Sequence, residues 1–95
     1  MLTVDECLNN SNEWIKGHNL NHVWFVKAIL EINNEYIVII NTIDENDING
    51  QMDLPLFIID KDEAKIRLFN IIEKGIFEKI NASKVVYGEI DSEEE

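Results

Sequence analysis

The chain has 95 residues, of which 45% are hydrophobic and 28% are charged, and its formal net charge at pH 7 is -11. This length predicts one small folded domain, and the apolar runs are too short to span a bilayer. The excess of acid argues against nucleic acid and anionic membranes as direct partners, because both would repel the chain.

The first predicted element is an amphipathic helix over residues 4–16. Thr3 and Glu6 fit a capping box, in which a hydroxyl residue is followed three positions later by Glu. Apolar residues then recur along one helical face, with Ser11 as the polar gap in that face. Gly17 is the expected C-terminal stop of this helix. The sequence therefore predicts a helix that buries one side.

Two strands are predicted next, over residues 22–32 and 35–43, joined by a two-residue turn at Asn33-Asn34. The turn sets a register that pairs Ile32 with Glu35, Leu30 with Ile37, Ala28 with Ile39 and Trp24 with Ile43. One face of the hairpin is then almost entirely hydrocarbon, as expected for a buried face. Its residues are Trp24, Val26, Ala28, Leu30, Ile32, Ile37, Ile39 and Ile43.

A third strand is predicted after the dipeptide Asn49-Gly50, which is a strong signal for a type I′ hairpin turn. Pairing outward from that turn places Ile43 opposite Leu56 and Asn41 opposite Ile58. Both residues of the third strand then lie on the apolar face of the first hairpin. Two separate turns thus agree on a three-stranded antiparallel meander.

A second helix is predicted to follow the third strand, with its start at Asp60. The stretch Asp60-Lys61-Asp62-Glu63 resembles an N-cap, and Glu63 and Arg67 have the favourable i, i+4 spacing. The expected inner face of this helix consists of Ala64, Leu68, Ile71 and Ile72.

Gly75 should interrupt this second helix, with a short continuation over residues 76–80 and a last strand over 84–90. The predicted fold class is α+β, a small single domain in the order α-β-β-β-α-β. In this fold two helices pack on an antiparallel β-meander. Residues 1–90 form this domain, and residues 91–95 are expected to be a disordered acidic tail.

The other face of the meander is also apolar and carries three aromatic residues. Phe25, Tyr36 and Phe57 share this face in the predicted register. A helix is the favoured cover, since two helices are available. A second copy of the chain is the alternative, and these three residues would then form a dimer face.

The tip of the second hairpin carries four carboxylates, and its sequence partly matches a calcium loop. Asp47, Asn49 and Gly50 fit positions of such a loop, but Leu56 stands where the bidentate Glu is required. The flanking segments also favour strands over helices. We therefore expect a solvated acidic turn and no metal at Asp44, Glu45, Asp47 and Asp53.

Cys7, His18 and His22 are the residues that could suggest chemistry. Zinc needs three or four ligands in a closed set, and Cys7 falls on the apolar side of the first helix. Asp5 and Glu6 would also raise the pKa of a nucleophilic thiol. The expectation is a small core cysteine, no cofactor and no enzyme.

Charge is unevenly distributed, because residues 61–84 hold six cations against four acids while the rest of the chain is strongly acidic. This pattern predicts a small acidic binding protein of the cytoplasm, of the immunity-protein, antitoxin or phage-inhibitor type. The single cysteine suits a reducing compartment. The predicted contacts to a basic partner protein are Asp44, Glu45, Asp47 and Asp53.

Two other functions stay open at this point. One is a homodimerisation module that uses Phe25, Tyr36 and Phe57. The other is a small metal-binding protein built on Cys7, His18 and His22.

Overall fold

The computed structural model describes residues 1–42, 55–70 and 73–88. Within these residues the chain forms two helices and five strands. The helices are α1 (Val4–Gly17) and α2 (Ile76–Asn81). The strands are β1 (Trp24–Ile32), β2 (Glu35–Thr42), β3 (Pro55–Asp60), β4 (Ile66–Asn70) and β5 (Lys84–Gly88). The predicted α+β class is confirmed.

The strands form one antiparallel sheet in the order β4-β3-β2-β1-β5. β1 to β4 follow one another as a meander, and β5 returns to pair with β1. Each sheet face carries a core cluster. The cluster under α1 contains Cys7, Ile15, Val26, Ile29, Tyr36, Val38, Ile40, Phe57 and Ile59. The cluster under α2 contains Leu30, Ile37, Leu56, Ile58 and Ile76.

Helix α1 begins with the predicted capping box. The Glu6 amide donates to Thr3 Oγ1 at 3.2 Å, and the Thr3 amide donates to Glu6 Oε1 at 2.9 Å. The buried face carries Cys7, Ser11 and Ile15. The Ser11 hydroxyl donates to the main-chain oxygen of Cys7 at 2.9 Å, so this polar gap is buried with its hydrogen bond made.

The turn at Asn33-Asn34 produces the predicted register in the first half of the hairpin. Asn33 adopts φ 52, a conformation that Asn tolerates better than most residues. Ile32 pairs with Glu35, and the same register continues to Ala28 and Ile39. This half of the prediction is confirmed.

A bulge at Lys27 alters the second half of the hairpin. Trp24 pairs with Thr42, and the predicted partner Ile43 is wrong. The extra residue reverses which way the side chains before it point. Trp24 and Val26 consequently pack in the cluster under α1, opposite to the face predicted for them.

The third strand is on the predicted face but in a different register. Ile58 pairs with Ile37 where Asn41 was expected, and Leu56 pairs with Ile39. The difference is four residues. Because an even shift leaves each side chain on the same side of a strand, Leu56 and Ile58 still belong to the cluster under α2.

The helix predicted from Asp60 onward is wrong, because this segment forms a tight turn followed by β4. The Asp60 carboxylate accepts the amides of Asp62 and Glu63 at 2.7 and 3.1 Å, as an N-cap would. The same bonding closes turns, and Ala64 at φ 56 leaves the helical conformation. The second helix, α2, begins only after Gly75. Apart from the added β4, the predicted element order holds.

Candidate functional site

Three connecting segments meet at one end of the sheet. The Leu2 amide donates to the main-chain oxygen of Lys61 at 2.9 Å, and the Lys61 amide donates to that of Asn34 at 2.9 Å. The Tyr36 hydroxyl donates to the Leu2 oxygen at 3.1 Å. The start of α1 is therefore held beside the β1–β2 and β3–β4 turns.

This arrangement joins two segments that carry exposed carboxylates, Asp5 and Glu6 on one and Asp62 and Glu63 on the other, and we call these four residues the acidic end. Asp5 and Glu6 lie in the first turn of α1, where negative charge also stabilises a helix. Asp62 and Glu63 lie in the β3–β4 turn. The Asp62 carboxylate accepts a hydrogen bond from Asn34 Nδ2 at 2.9 Å, which holds it in place.

Lys61, the first residue of this connection, points into the protein, whereas Lys65 at its end is exposed. The side chain of Lys61 is only 8% exposed and forms an ion pair with the Glu31 carboxylate. Its Nζ also lies 4.8 Å from the centroid of the Tyr36 ring. The hydrogen bond from Lys61 lowers the pKa of Glu31, whereas burial raises the pKa of Tyr36. The Lys61 ammonium group therefore does not lie beside the exposed carboxylates of Asp62 and Glu63.

A second charged group, which we call the Glu35 cluster, ties β2 to β4 and α2. Arg67 Nη2 lies 2.6 Å from Oε2 of Glu35, and Lys79 Nζ lies 2.8 Å from Oε1 of the same carboxylate. The hydrogen bond from Lys79, with a further contribution from Arg67, lowers the pKa of Glu35. Two cations meet one carboxylate, so the cluster has a surplus positive charge.

The predicted partner-binding residues Asp44, Glu45, Asp47 and Asp53 lie outside the described residues. Strand β2 ends at Thr42 and β3 begins at Pro55, both at the far end of the sheet from the acidic end.

The predicted dimer face is not a single exposed surface in this structure. Tyr36 and Phe57 are buried under α1, which is the helix cover that the sequence favoured over a dimer. Phe25 is 40% exposed and pairs with Asn41 on the opposite face. The bulge at Lys27 is the cause, because it moves Phe25 to that face.

The residues that could suggest chemistry are separated by their environments. Cys7 is fully buried, and that burial raises the pKa of its thiol to about 12, with the nearby Ser11 side chain acting weakly in the other direction. His18 is exposed, and its ring stacks on Trp14 with 3.9 Å between the ring centroids. Its Nδ1 lies 2.8 Å from the main-chain oxygen of Trp14. Within residues 1–42, 55–70 and 73–88, no three His, Cys, Asp or Glu side chains group as metal ligands.

The acidic end as a whole is not predictable from the sequence. Glu6 fits a capping box, and the pattern around Asp62 and Glu63 indicates a helix. The link between the two segments depends on main-chain hydrogen bonds between residues far apart in sequence, for which no local pattern gives a signal.

None of the described helices has the length and apolar character to cross a membrane. No family model, curated protein or solved structure matches the chain.

Proposed function

We propose that this chain is a small non-enzymatic binding protein whose acidic end docks on a basic surface of a partner protein. The observation that carries the proposal is the inward orientation of Lys61. Its ammonium group is paired with Glu31 and does not neutralise the exposed acids Asp62 and Glu63 beside it, so Lys65 is the exposed cation of this connection.

The charge of the whole chain acts in the same direction as the acidic end. A net charge of -11 attracts positively charged surfaces at long range and raises the rate of association with them. Main-chain hydrogen bonds join Lys61 to Leu2 and to Asn34, and they hold the start of α1 and the β3–β4 connection in place. Docking therefore requires little ordering of the backbone.

Immunity proteins, antitoxins and phage inhibitors of basic targets are the classes that we infer from these properties. We place the protein in the cytoplasm, where a single buried Cys7 thiol would stay reduced. Asp44, Glu45, Asp47 and Asp53 stay in the proposal as a predicted additional contact.

The test is affinity capture with two charge-matched double variants. Asp5→Asn with Glu63→Gln removes two acids from the acidic end and leaves the capping residue Glu6 in place. Glu13→Gln with Glu78→Gln removes two exposed acids elsewhere and serves as the control.

The wild-type chain should retain a basic protein that is released by added salt, since screening weakens exposed charge pairs. The acidic-end variant should bind that protein about tenfold more weakly, which corresponds to a loss of about 1.4 kcal/mol of binding free energy. The control variant should keep most of the affinity. Equal binding by both variants, or no salt-released protein, would reject the proposal.

A further inference from the structure

The two outer strands of the sheet differ in how open their edges are. In β5 the pairing with β1 shifts between Ile29 and Leu30, and the strand ends at Gly88 with φ 71. Bulges of this kind hinder the addition of a further strand. β4 pairs with β3 without any shift, and among the described residues no strand lies on its outer side.

The side chains of β4 give this edge an apolar α1 side and an α2 side on which the cation Arg67 lies beside the Phe69 ring. Leu68 pairs with Phe57 on the α1 side of the sheet and is 48% exposed. Arg67 pairs with Ile58 on the α2 side, and its side chain is 45% exposed. An incoming strand would therefore meet an apolar side chain on one face and a guanidinium on the other.

The Glu35 cluster supplies the positive charge on this side. Arg67 uses Nη2 for Glu35, and a guanidinium has five N–H donors in all. Lys79 shares the same carboxylate. Because two cations share one anion, the cluster has capacity for a second carboxylate. Lys65, exposed just before β4, adds to the local charge.

We propose that the outer edge of β4 accepts an extended segment of a partner protein in which apolar and acidic residues alternate. Side chains of a strand point alternately to opposite faces, so apolar residues would pack on Leu68 and acidic residues would pair with Arg67. A second copy of β4 fits less well, because it would bring Arg67 and Lys65 against the same cations.

The probe is a short synthetic peptide that alternates valine with glutamate, titrated into the full chain and followed by backbone NMR at low salt. The amide shifts should concentrate on residues 66–70. Arg67→Gln and Leu68→Lys should each weaken binding about tenfold, as expected for one charge-assisted contact or one lost apolar contact. The matched controls on β5, Lys84→Gln and Val85→Lys, should leave binding unchanged.

Several results would overturn this inference. If a peptide that alternates valine with lysine binds equally well, the edge does not select acidic residues. Amide shifts on residues 84–88, or unchanged affinity in the two β4 variants, would show that β4 is not the binding edge. Self-association of the chain that is abolished by Leu68→Lys would show that a second copy is the occupant. The double variant Asp5→Asn with Glu63→Gln should still bind the peptide, which separates this surface from the acidic end.

Discussion

A Cβ atom on Gly88 would lie 2.0 Å from the main-chain oxygen of Lys27, the residue that bulges from β1. Gly88 also adopts φ 71, a conformation that other L residues rarely adopt. The bulge and the glycine therefore fit against each other, and the end of β5 can approach β1 only without a side chain at this position.

Replacing Gly88 with Ala should lower the free energy of unfolding by more than about 2 kcal/mol, from left-handed strain plus the overlap with Lys27. Urea denaturation measures the change. Gly17→Ala is the control, because no atom lies within 4 Å of a Cβ at that position. The control should be neutral or stabilise α1 by up to about 1 kcal/mol. Unaltered stability of the Gly88 variant would contradict the described packing.

Tyr36→Phe should lower the free energy of unfolding by about 1 kcal/mol, because it removes the hydrogen bond from the buried hydroxyl to the Leu2 oxygen. The Leu2 amide, which bonds to Lys61, should exchange faster with solvent. Denaturation and hydrogen exchange measure the two effects. Tyr87→Phe, at a 39% exposed tyrosine on β5, should change neither. Similar losses in both variants would mean that the Tyr36 hydroxyl has no special role.

The Cys7 thiol should react very slowly with thiol reagents in the folded chain and rapidly once the chain is unfolded. Burial raises its pKa from 9.0 to about 12, so the reactive thiolate is scarce as well as inaccessible. Reaction with a chromogenic disulfide at neutral pH, with and without denaturant, tests this. Equal rates in both conditions would contradict the burial of Cys7.

The same pKa shift predicts a loss of stability at alkaline pH. The unfolded chain releases the Cys7 proton near the ordinary pKa of 9.0, whereas the folded chain retains it up to about 12. The contribution is fully present below pH 9.0 and is lost as the pH rises to about 12. The Cys7→Ala variant should lack this pH-dependent contribution. The free energies of unfolding of the wild type and the variant should therefore converge as the pH rises. A constant difference across that range would argue against it.

Glu35→Gln should lower the free energy of unfolding by about 1 kcal/mol at neutral pH. The loss is this small because the Glu35 cluster is partly exposed to solvent, which screens its charges. Lys79 and Arg67 lower the pKa of Glu35 below 4.5, so its contribution is present above pH 4.5 and is lost as the pH falls through the folded value. Denaturation at several pH values should show the wild type and variant converging in acid. Glu13→Gln, at an exposed site on α1 outside the Glu35 cluster, is the charge-matched control and should leave the free energy of unfolding at neutral pH nearly unchanged.

Several features of the fold were predictable from the sequence because they depend on neighbours along the chain. The capping box joins Thr3 to Glu6, and the turn at Asn33-Asn34 joins adjacent strands, so each is encoded within a few residues. The apolar pattern of β2 and β3 places Leu56 and Ile58 on the correct face even though their register differs by an even number of residues.

Other features depended on the tertiary structure. Asp60 accepts main-chain amides equally well in a helix cap and in a turn, and the sequence around it favoured the helix. Pairing of β4 with β3, and the bond of Arg67 to Glu35, select the turn instead. The bulge at Lys27 likewise has no local signal and is accommodated by Gly88 from the other end of the chain.

By itself, then, the sequence determined an acidic α+β domain with a capped first helix and a meander of apolar strands, because charge and periodicity are properties of short segments. Only the tertiary structure decided that Lys61 turns inward to Glu31 and that the segment before α1 bonds to the β3–β4 connection through Leu2 and Lys61. The physical reason is that contacts between segments so far apart exist only once the sheet has formed and α1 has packed on it.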